Sequence, residues 1–245
     1  MSDINSDSKK LQAVINLSKN IVFFSGAGVS TESGIPDFRS VDGLYNQKYK
    51  YPPEMIISHS FYENSKEEFY RFYKDKMLIL NARCNPYHLY LKKLEDKGKL
   101  KAIVTQNIDG LHTLAGNKNV IELHGSIHRN YCQKCMKLFS GEYIRDSKDI
   151  IPHCDKCGGV IKPDVVLYEE PLDELVINKA LVAIREADTL IVAGTSLVVY
   201  PAASFVSYFQ GKNFVYIDKN EKANNNMATL TIHQKVGELF SLLEV

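Results

Sequence analysis

The sequence predicts an α/β fold in which helices cover both faces of a parallel sheet. Short apolar runs rich in β-branched residues alternate with amphipathic helical patterns along most of the chain. The 245 residues are 44% hydrophobic and 24% charged, which allows a sizeable core. A segment with four of the five cysteines interrupts the alternation and predicts a second, smaller unit.

Charge and hydropathy exclude several function classes. The net charge is +1, so no overall field favours nucleic acid or an anionic membrane as a partner. The N-terminal residues are polar and acidic, unlike a signal peptide, and no apolar run approaches the length of a membrane span. We therefore expect a cytoplasmic protein that binds neither nucleic acid nor membrane.

The first predicted strand, Ile21–Phe24, runs into Gly26 and Gly28, where the chain must turn sharply. Ser30 and Thr31 are expected to cap a short helix whose free N–H groups face a phosphate. Such a turn is typical of a nucleotide-binding site. A tight turn without a ligand is the alternative.

The glycine spacing differs from that of hydride-transferring dehydrogenases. After Gly28 the next glycine is Gly34, whereas the G-x-G-x-x-G pattern would place one at Thr31. No strand ending in Asp or Glu follows at the distance expected for binding a ribose. The tail of the loop, from Pro36 to Arg39, places an aromatic ring between two charges, which suits a loop that folds over a ligand.

Polar side chains follow later strands, at the edge where open α/β sheets bind ligands. The strand Lys99–Val104 leads into Gln106, Asn107 and Asp109, for which a polar turn is the alternative. The next short strand delivers His124, which could cap a turn or serve as a general base. Two further strands end at a second glycine–hydroxyl turn and at an acid: Gly194, Thr195, Ser196 and Asp218.

Four cysteines form two C-x-x-C pairs separated by eighteen residues, a spacing typical of a zinc ribbon: Cys132, Cys135, Cys154 and Cys157. Four thiolates complete a tetrahedral shell and leave no open position for water, so the zinc should be structural. Redox pairs are the alternative. Cys84 is interpreted as a packing residue.

Helical and strand periodicity predicts the other elements. We expect helices over 8–19, 66–80, 86–94, 175–186, 201–209 and 236–243, strands over 189–193, 214–217 and 228–232, and an extended segment over 162–170.

Together these motifs resemble the sirtuins, the NAD-dependent protein lysine deacylases, and above all their bacterial members. The resemblance covers nearly the whole chain and depends on motifs in a fixed order: Gly26 to Ser30, Gly34 to Arg39, Thr105 to Asp109, His124-Gly125, the four cysteines, and Gly194 to Leu197. It implies a Rossmann-type large domain formed by residues 1–40, 85–128 and 161–245. A helical module at 41–84 and a zinc-ribbon module at 129–160 would form the small domain.

The resemblance also implies ligands and site residues. NAD would be the co-substrate, one Zn²⁺ per chain the structural metal, acetylated lysine-containing proteins or peptides the substrates, and nicotinamide a product and inhibitor. The NAD contacts would be Gly26, Ala27, Thr31, Phe38, Arg39, Gln106, Ile108, Asp109, His124, Gly194, Thr195, Ser196, Asp218 and Val236. The peptide would lie as an added strand against Val165, Val166, Tyr168, Leu197 and Val199.

The implied reaction is lysine deacetylation, with catalytic roles for His124, Asn107, Asp109, Gln106 and Arg39. The acyl oxygen would attack the ribose carbon that nicotinamide leaves, with Asp109 on the nicotinamide amide and Asn107 on the ribose or a water. His124 would then act as general base on a ribose hydroxyl. The products would be free lysine, nicotinamide and O-acetyl-ADP-ribose.

Two residues depart from the sirtuin pattern: Glu169 stands where Gly is usual, and Asp218 where Asn is usual. Glu169 could disturb the peptide path or favour basic flanking residues. Asp218 can still accept from a ribose hydroxyl but loses an amide donor. Desuccinylating relatives bind the acyl carboxylate with a Tyr and an Arg three residues apart. Here Tyr70 and Tyr73 occupy those positions, which favours acetyl or longer uncharged acyl groups.

Four alternatives stay open at this point. The same scaffold could transfer ADP-ribose to protein, or remove longer acyl chains. A non-enzymatic protein that senses NAD and recruits partners through its zinc ribbon would bind NAD without releasing nicotinamide. A hydride-transferring dehydrogenase is the weakest reading because of the glycine spacing.

Overall fold

The structure is a computed structural model that describes residues 3–38, 43 and 49–245. In chain order its strands are β1 (Ile21–Ser25), β2 (Leu100–Thr105), β3 (Val120–Glu122), β4 (Gly125–Cys132), β5 (Leu138–Phe139), β6 (Ile161–Val165), β7 (Thr189–Ala193), β8 (Asn213–Ile217) and β9 (Leu230–Ile232). The α-helices are α1 (Ile4–Leu17), α2 (Pro53–Ile56), α3 (His59–Asn64), α4 (Lys66–Phe72), α5 (Pro86–Asp96), α6 (Leu111–Leu114), α7 (Gly141–Asp146), α8 (Glu174–Glu186) and α9 (Val236–Phe240).

The main sheet has six strands in the order β3-β2-β1-β7-β8-β9. All of them are parallel, as the sequence predicts. Its central strands β1 and β7 are buried along their whole length and pair from Ile21 with Thr189 to Ser25 with Ala193. Continuous apolar runs of this kind are what a parallel sheet needs beneath two helical layers. One face packs against α1, α5 and α9, and the other against α8 and a 3₁₀ helix at Ala202–Tyr208.

A second, antiparallel sheet has the order β5-β4-β6. It packs with α2, α3, α4 and α7 around an aromatic core, in which Tyr62, Phe69, Tyr70 and Tyr73 are buried. We call this sheet with its helices the small region, and the six-stranded sheet with its covering helices the large region. Strand β6 begins at Ile161, where the sequence predicts a return to the large domain, yet it pairs with β4 of the small sheet.

Some helices differ from their predicted bounds. Helix α1 begins earlier, at Ile4, because the Asp3 carboxylate caps it by accepting from the N–H of Asn5. The helix predicted over 66–80 is α4 followed by a π-helical turn, Tyr73–Met77. Within the described part of the chain, helices are too short or too polar to cross a membrane.

Candidate active site

The glycine turn at Gly26–Gly28 packs directly against the one at Gly194, at the edge of the main sheet where the parallel strands end. The N–H of Gly28 donates to the carbonyl of Gly194 over 2.8 Å. A Cβ atom at Gly28 would lie 2.7 Å from the Gly194 Cα, so the neighbouring backbone itself requires glycine. A sharp turn is therefore not the only reason for glycine at this position.

Ser30 and Thr31 lie inside a 3₁₀ helix, Ala27–Ser33, and our prediction that they cap a helix is wrong. The buried Ser30 hydroxyl donates to the Asp109 carboxylate over 2.7 Å and accepts from the Asn107 side-chain amide over 3.1 Å. Burial raises the pKa of Asp109, and the hydrogen bonds that its carboxylate accepts oppose this rise. One hydroxyl thus fixes two predicted catalytic side chains.

His124 lies just after β3, with its Nδ1 2.8 Å from the carbonyl oxygen of Gln106. Because a carbonyl oxygen only accepts, Nδ1 of the neutral ring carries the proton and Nε2 does not. Burial lowers the pKa of His124, partly offset by the bond to Gln106. A neutral ring therefore predominates near pH 7, and it can accept a proton at Nε2.

Gln106 links this histidine to the second glycine turn. Its side-chain amide donates to Thr195 Oγ1 over 3.1 Å. The Thr195 carbonyl in turn accepts from the Tyr216 hydroxyl over 3.0 Å. Hydrogen bonds therefore connect the carboxyl ends of β2, β7 and β8, which fixes the loops relative to one another.

A cavity of about 700 Å³ brings most of the predicted site residues together. Ligand sites commonly occupy about 300–1,000 Å³. Asn107 and thirteen predicted NAD contacts line it: Gly26, Ala27, Thr31, Phe38, Gln106, Ile108, Asp109, His124, Gly194, Thr195, Ser196, Asp218 and Val236. The remaining predicted residue of this set, Arg39, lies outside the described residues.

The predicted peptide contacts divide into two groups. Val165, Val166, Tyr168 and Val199 line the same cavity. Leu197 instead is partly buried against the core on one face of the large sheet. The cavity is therefore continuous from the glycine turns to the extended segment after β6.

Tyr70 and Tyr73, which we expected at the acyl position, are fully buried in the aromatic core of the small region. The Tyr70 hydroxyl donates to the Ile161 carbonyl over 2.5 Å. The cavity is reached instead by residues from the end of the π-helical turn and beyond: Lys76, Met77 and Ile79. The two side chains on which we based the acyl preference therefore do not line the cavity.

The four paired cysteines converge at one end of the small sheet, with all their sulfur atoms within 4.8 Å of one another. The Sγ atoms of Cys132 and Cys157 are 3.4 Å apart, and those of Cys135 and Cys154 are 3.7 Å apart. Ligands of a tetrahedral zinc with bonds of about 2.3 Å lie roughly 3.8 Å apart. A Cβ atom at Gly159 would lie 2.9 Å from the Cys132 Sγ, so the turn leaves room only for glycine. The cluster fits one structural zinc ion, as predicted.

Comparisons with known proteins agree with this geometry. The Sir2 family model matches residues 26–201, which is more than half of the chain. The chain belongs to the Sir2 family. This Sir2 protein is 57% identical over 232 residues to the NAD-dependent protein deacetylase of Clostridium acetobutylicum, covering 94% of this chain and 95% of that protein. The deacetylase of Clostridium perfringens is 57% identical over 233 residues, with 94% and 95% covered.

Solved Sir2 structures share the fold of this Sir2 protein. A Sir2 complex with deacetylated p53 peptide and 3′-O-acetyl ADP-ribose has a TM-score of 0.86 at 37% identity and covers 96% of each chain. A Sir2 complex with p53 peptide and NAD⁺ has a TM-score of 0.83 at 38% identity and covers 95% of each chain. The predicted bacterial sirtuin resemblance and the predicted fold class are confirmed.

The sequence patterns did not predict a second group of contacts, which anchor the segment that follows β1. The Glu32 carboxylate accepts from the N–H groups of Gly237 and Glu238, over 2.6 and 3.0 Å, and so holds the start of α9. Asp37 pairs with Lys219 over 3.5 Å. More than 180 residues of sequence separate the partners, and no local spacing indicates these contacts.

Proposed function

We propose that this Sir2 protein is an NAD-dependent protein lysine deacetylase that yields free lysine, nicotinamide and O-acetyl-ADP-ribose. The observation that carries the proposal is the oriented, neutral His124 ring in the cavity that also collects the predicted NAD contacts. The clostridial relatives, named NAD-dependent protein deacetylases, support it.

The chain would use His124 as its general base. When bound, NAD supplies an electrophilic ribose carbon with nicotinamide as leaving group. Nε2 of His124 would take the proton of a ribose hydroxyl, while the Gln106 carbonyl holds the proton on Nδ1. The same carbonyl would stabilise the imidazolium that forms, as the orienting acceptor does in other histidine bases.

Asn107 and Asp109 would orient the reacting groups. Ser30 holds both side chains in the cavity wall, so neither needs to be ordered when ligands arrive. Asp109 would bind the nicotinamide amide, and the Asn107 carbonyl oxygen would accept from a ribose hydroxyl or a water. Gln106, whose side chain donates to Thr195, would be the third residue of this group. Arg39 is a further proposed catalytic residue.

Two further predictions are kept as parts of this proposal. Residues 1–40, 85–128 and 161–245 would form the NAD-binding domain, and residues 41–84 and 129–160 the small domain. The location would be cytoplasmic, since cysteines arranged as metal ligands suit a reducing compartment.

The experiment is a single substitution, His124→Ala, assayed with NAD and an acetyl-lysine peptide by mass spectrometry. Loss of a general base typically costs about 10²–10⁴-fold in rate, so we expect a fall of that size in kcat. His153→Ala, which removes an exposed ring outside the cavity, is the matched control and should act like the parent. Zinc content and thermal melting should be the same in all three proteins.

Two results would contradict the proposal. If His124→Ala deacetylates the peptide at the parent rate, His124 is not the general base. Label from NAD that remains on protein, without loss of acetyl, would instead identify an ADP-ribosyltransferase.

A further inference from the structure

Glu169 holds an unusual place on the rim of the cavity. Its backbone is left-handed, with φ of 75°, a conformation that favours glycine over residues with a Cβ. Its side chain is exposed and lines the mouth of the cavity beside Tyr168 and Glu170. A glutamate at such a position costs conformational energy, which indicates that its side chain makes compensating contacts.

The Glu169 carboxylate is fixed by Ser60 of α3. One oxygen accepts from the Ser60 N–H over 2.8 Å, and the other from the Ser60 hydroxyl over 3.0 Å. The adjacent backbone is held as well, because the N–H and carbonyl of Tyr168 bond to Ile57 and His59. The carboxylate is therefore presented in one place rather than moving freely in solvent.

Among the described residues, Glu169 has no neighbouring cation to balance its charge. Lys162 pairs with Glu170 over 3.2 Å, and His59 lies 2.9 Å from the same carboxylate. In the described ranges, 3–38, 43 and 49–245, lysine, arginine and histidine nitrogens all lie more than 4.0 Å from the Glu169 carboxylate. Ser60 occupies two acceptor positions of the carboxylate, and the others can accept from a ligand.

A peptide in the proposed groove would bring its side chains to this carboxylate. In an added strand, side chains alternate between the two faces. With the acyl-lysine pointing into the cavity, its sequence neighbours point outward to the rim, where Glu169 is exposed. A cationic neighbour would gain an ion pair there, and an acidic one would be repelled.

We propose that Glu169 is a specificity-determining residue, and that this protein favours acetyl-lysine substrates with Arg or Lys next to the modified residue. The proposal rests on the proposed deacetylase function. Partly exposed ion pairs are worth little, so the preference should be about two- to five-fold in kcat/KM. It should arise mainly in KM and weaken at high salt, since solvent ions screen exposed charges.

The test uses the zinc-loaded full chain and acetyl-lysine peptides that differ only in having Arg, Gln or Glu beside the acetyl-lysine. The parent should prefer Arg over Gln over Glu. Glu169→Gln and Glu169→Gly should bring the Arg-to-Gln ratio of kcat/KM close to one. Gly adopts the left-handed backbone without strain, so the second variant guards against misfolding. Glu186→Gln, at an exposed carboxylate away from the cavity, should keep the parent ratio.

The outcomes distinguish the specificity role of Glu169 from the deacetylase function. Equal rates on all three peptides by an active parent, or an unchanged ratio in Glu169→Gln, would overturn the specificity role and leave the deacetylase function intact. No acetyl removal from any peptide by the parent would overturn both.

Discussion

The large and small regions stabilise their parts of the chain by different means. The large region has an extensive, mostly apolar core on both faces of six parallel strands. The small region has three antiparallel strands, one of them only two residues long, and a core rich in tyrosine and phenylalanine. Some of its rings meet edge to face, as Tyr62 and Phe69 do with centroids 5.0 Å apart, and others stack, as Phe69 and Tyr73 do.

The two regions therefore depend on different kinds of interaction for their stability. A wide parallel sheet supplies its own hydrogen-bond ladder and buries enough apolar surface to hold a rigid edge. A three-stranded sheet with one very short strand needs help from other interactions. In the small region that help comes from four thiolates and from tyrosine hydroxyls bonded to backbone carbonyls. The two regions should therefore fail under different conditions.

Removing the zinc should have the largest effect, and it should be confined to the small region. Structural zinc sites contribute about 10–16 kcal/mol of binding free energy, which is coupled to folding. Cys132→Ser should lose the metal and the hydrogen-exchange protection of β4 and β6, while β1 and β7 stay protected. Deacetylation should fall too, because β4 begins directly after His124.

Cys84→Ser is the matched control for this change, since the Cys84 sulfur donates to the Leu111 carbonyl and lies outside the four-cysteine cluster. It should retain zinc, protection and activity. A metal-free Cys132→Ser protein that melts at the parent temperature would contradict the comparison.

Acid should weaken the large region through His88 and His112, whose rings lie 5.0 Å apart in its interior. Burial lowers the pKa of His88 to about 4 and that of His112 well below its usual value. The unfolded chain, with histidine pKa values near 6.5, binds more protons below that pH, so stability is lost as pH falls from about 6.5 to about 4. His88 alone accounts for roughly 3 kcal/mol of this loss.

Hydrogen exchange of β1 and β2 against pH measures this effect, and denaturant unfolding gives its size. His112→Phe should reduce the loss of stability between pH 6.5 and 4 and leave the part that comes from His88. Exchange in β4 should follow zinc release instead, because acid protonates the thiolates. Identical pH profiles for His112→Phe and the parent would show that the buried His112 ring does not contribute to acid instability.

The smallest expected effects come from removing the hydroxyl group of one of two tyrosines in the small region. Tyr70→Phe removes the donor to the Ile161 carbonyl and should cost about 1–3 kcal/mol, since a buried acceptor is left unpaired. Tyr73 is equally buried, but among the described residues its hydroxyl has no hydrogen-bond partner. Tyr73→Phe should therefore be neutral or stabilising. Denaturant midpoints at fixed zinc content measure both, and equal losses in the two variants would contradict this assignment of hydrogen bonds.

Local patterns were sufficient to predict much of the fold. The run Thr189–Ala193 is a strand with the predicted bounds, because a short apolar run that contains β-branched residues is typical of a buried parallel strand. Cysteine spacing likewise predicted the thiolate cluster, since each pair needs only its own tight turn. Strand ends predicted His124 at the cavity for a similar reason.

Contacts between distant segments were not predictable in this way. Ser30 bonds to Asp109 across 79 positions, and nothing near Ser30 distinguishes that role from capping. Tyr70 and Tyr73 were predicted at the acyl position, but both rings pack into the aromatic core of the small region. In both cases tertiary contacts, rather than the local sequence, determine where the side chain lies.

Strand β4 has one further consequence. It begins at the residue after His124 and ends at Cys132, so a single extended segment of roughly 25 Å connects the imidazole to a thiolate. The specific activity of any preparation should therefore be proportional to the fraction of cysteine clusters that hold zinc. Turnover numbers for different batches or variants become comparable only after normalisation to bound zinc, and re-metallation should recover the activity of an under-loaded sample.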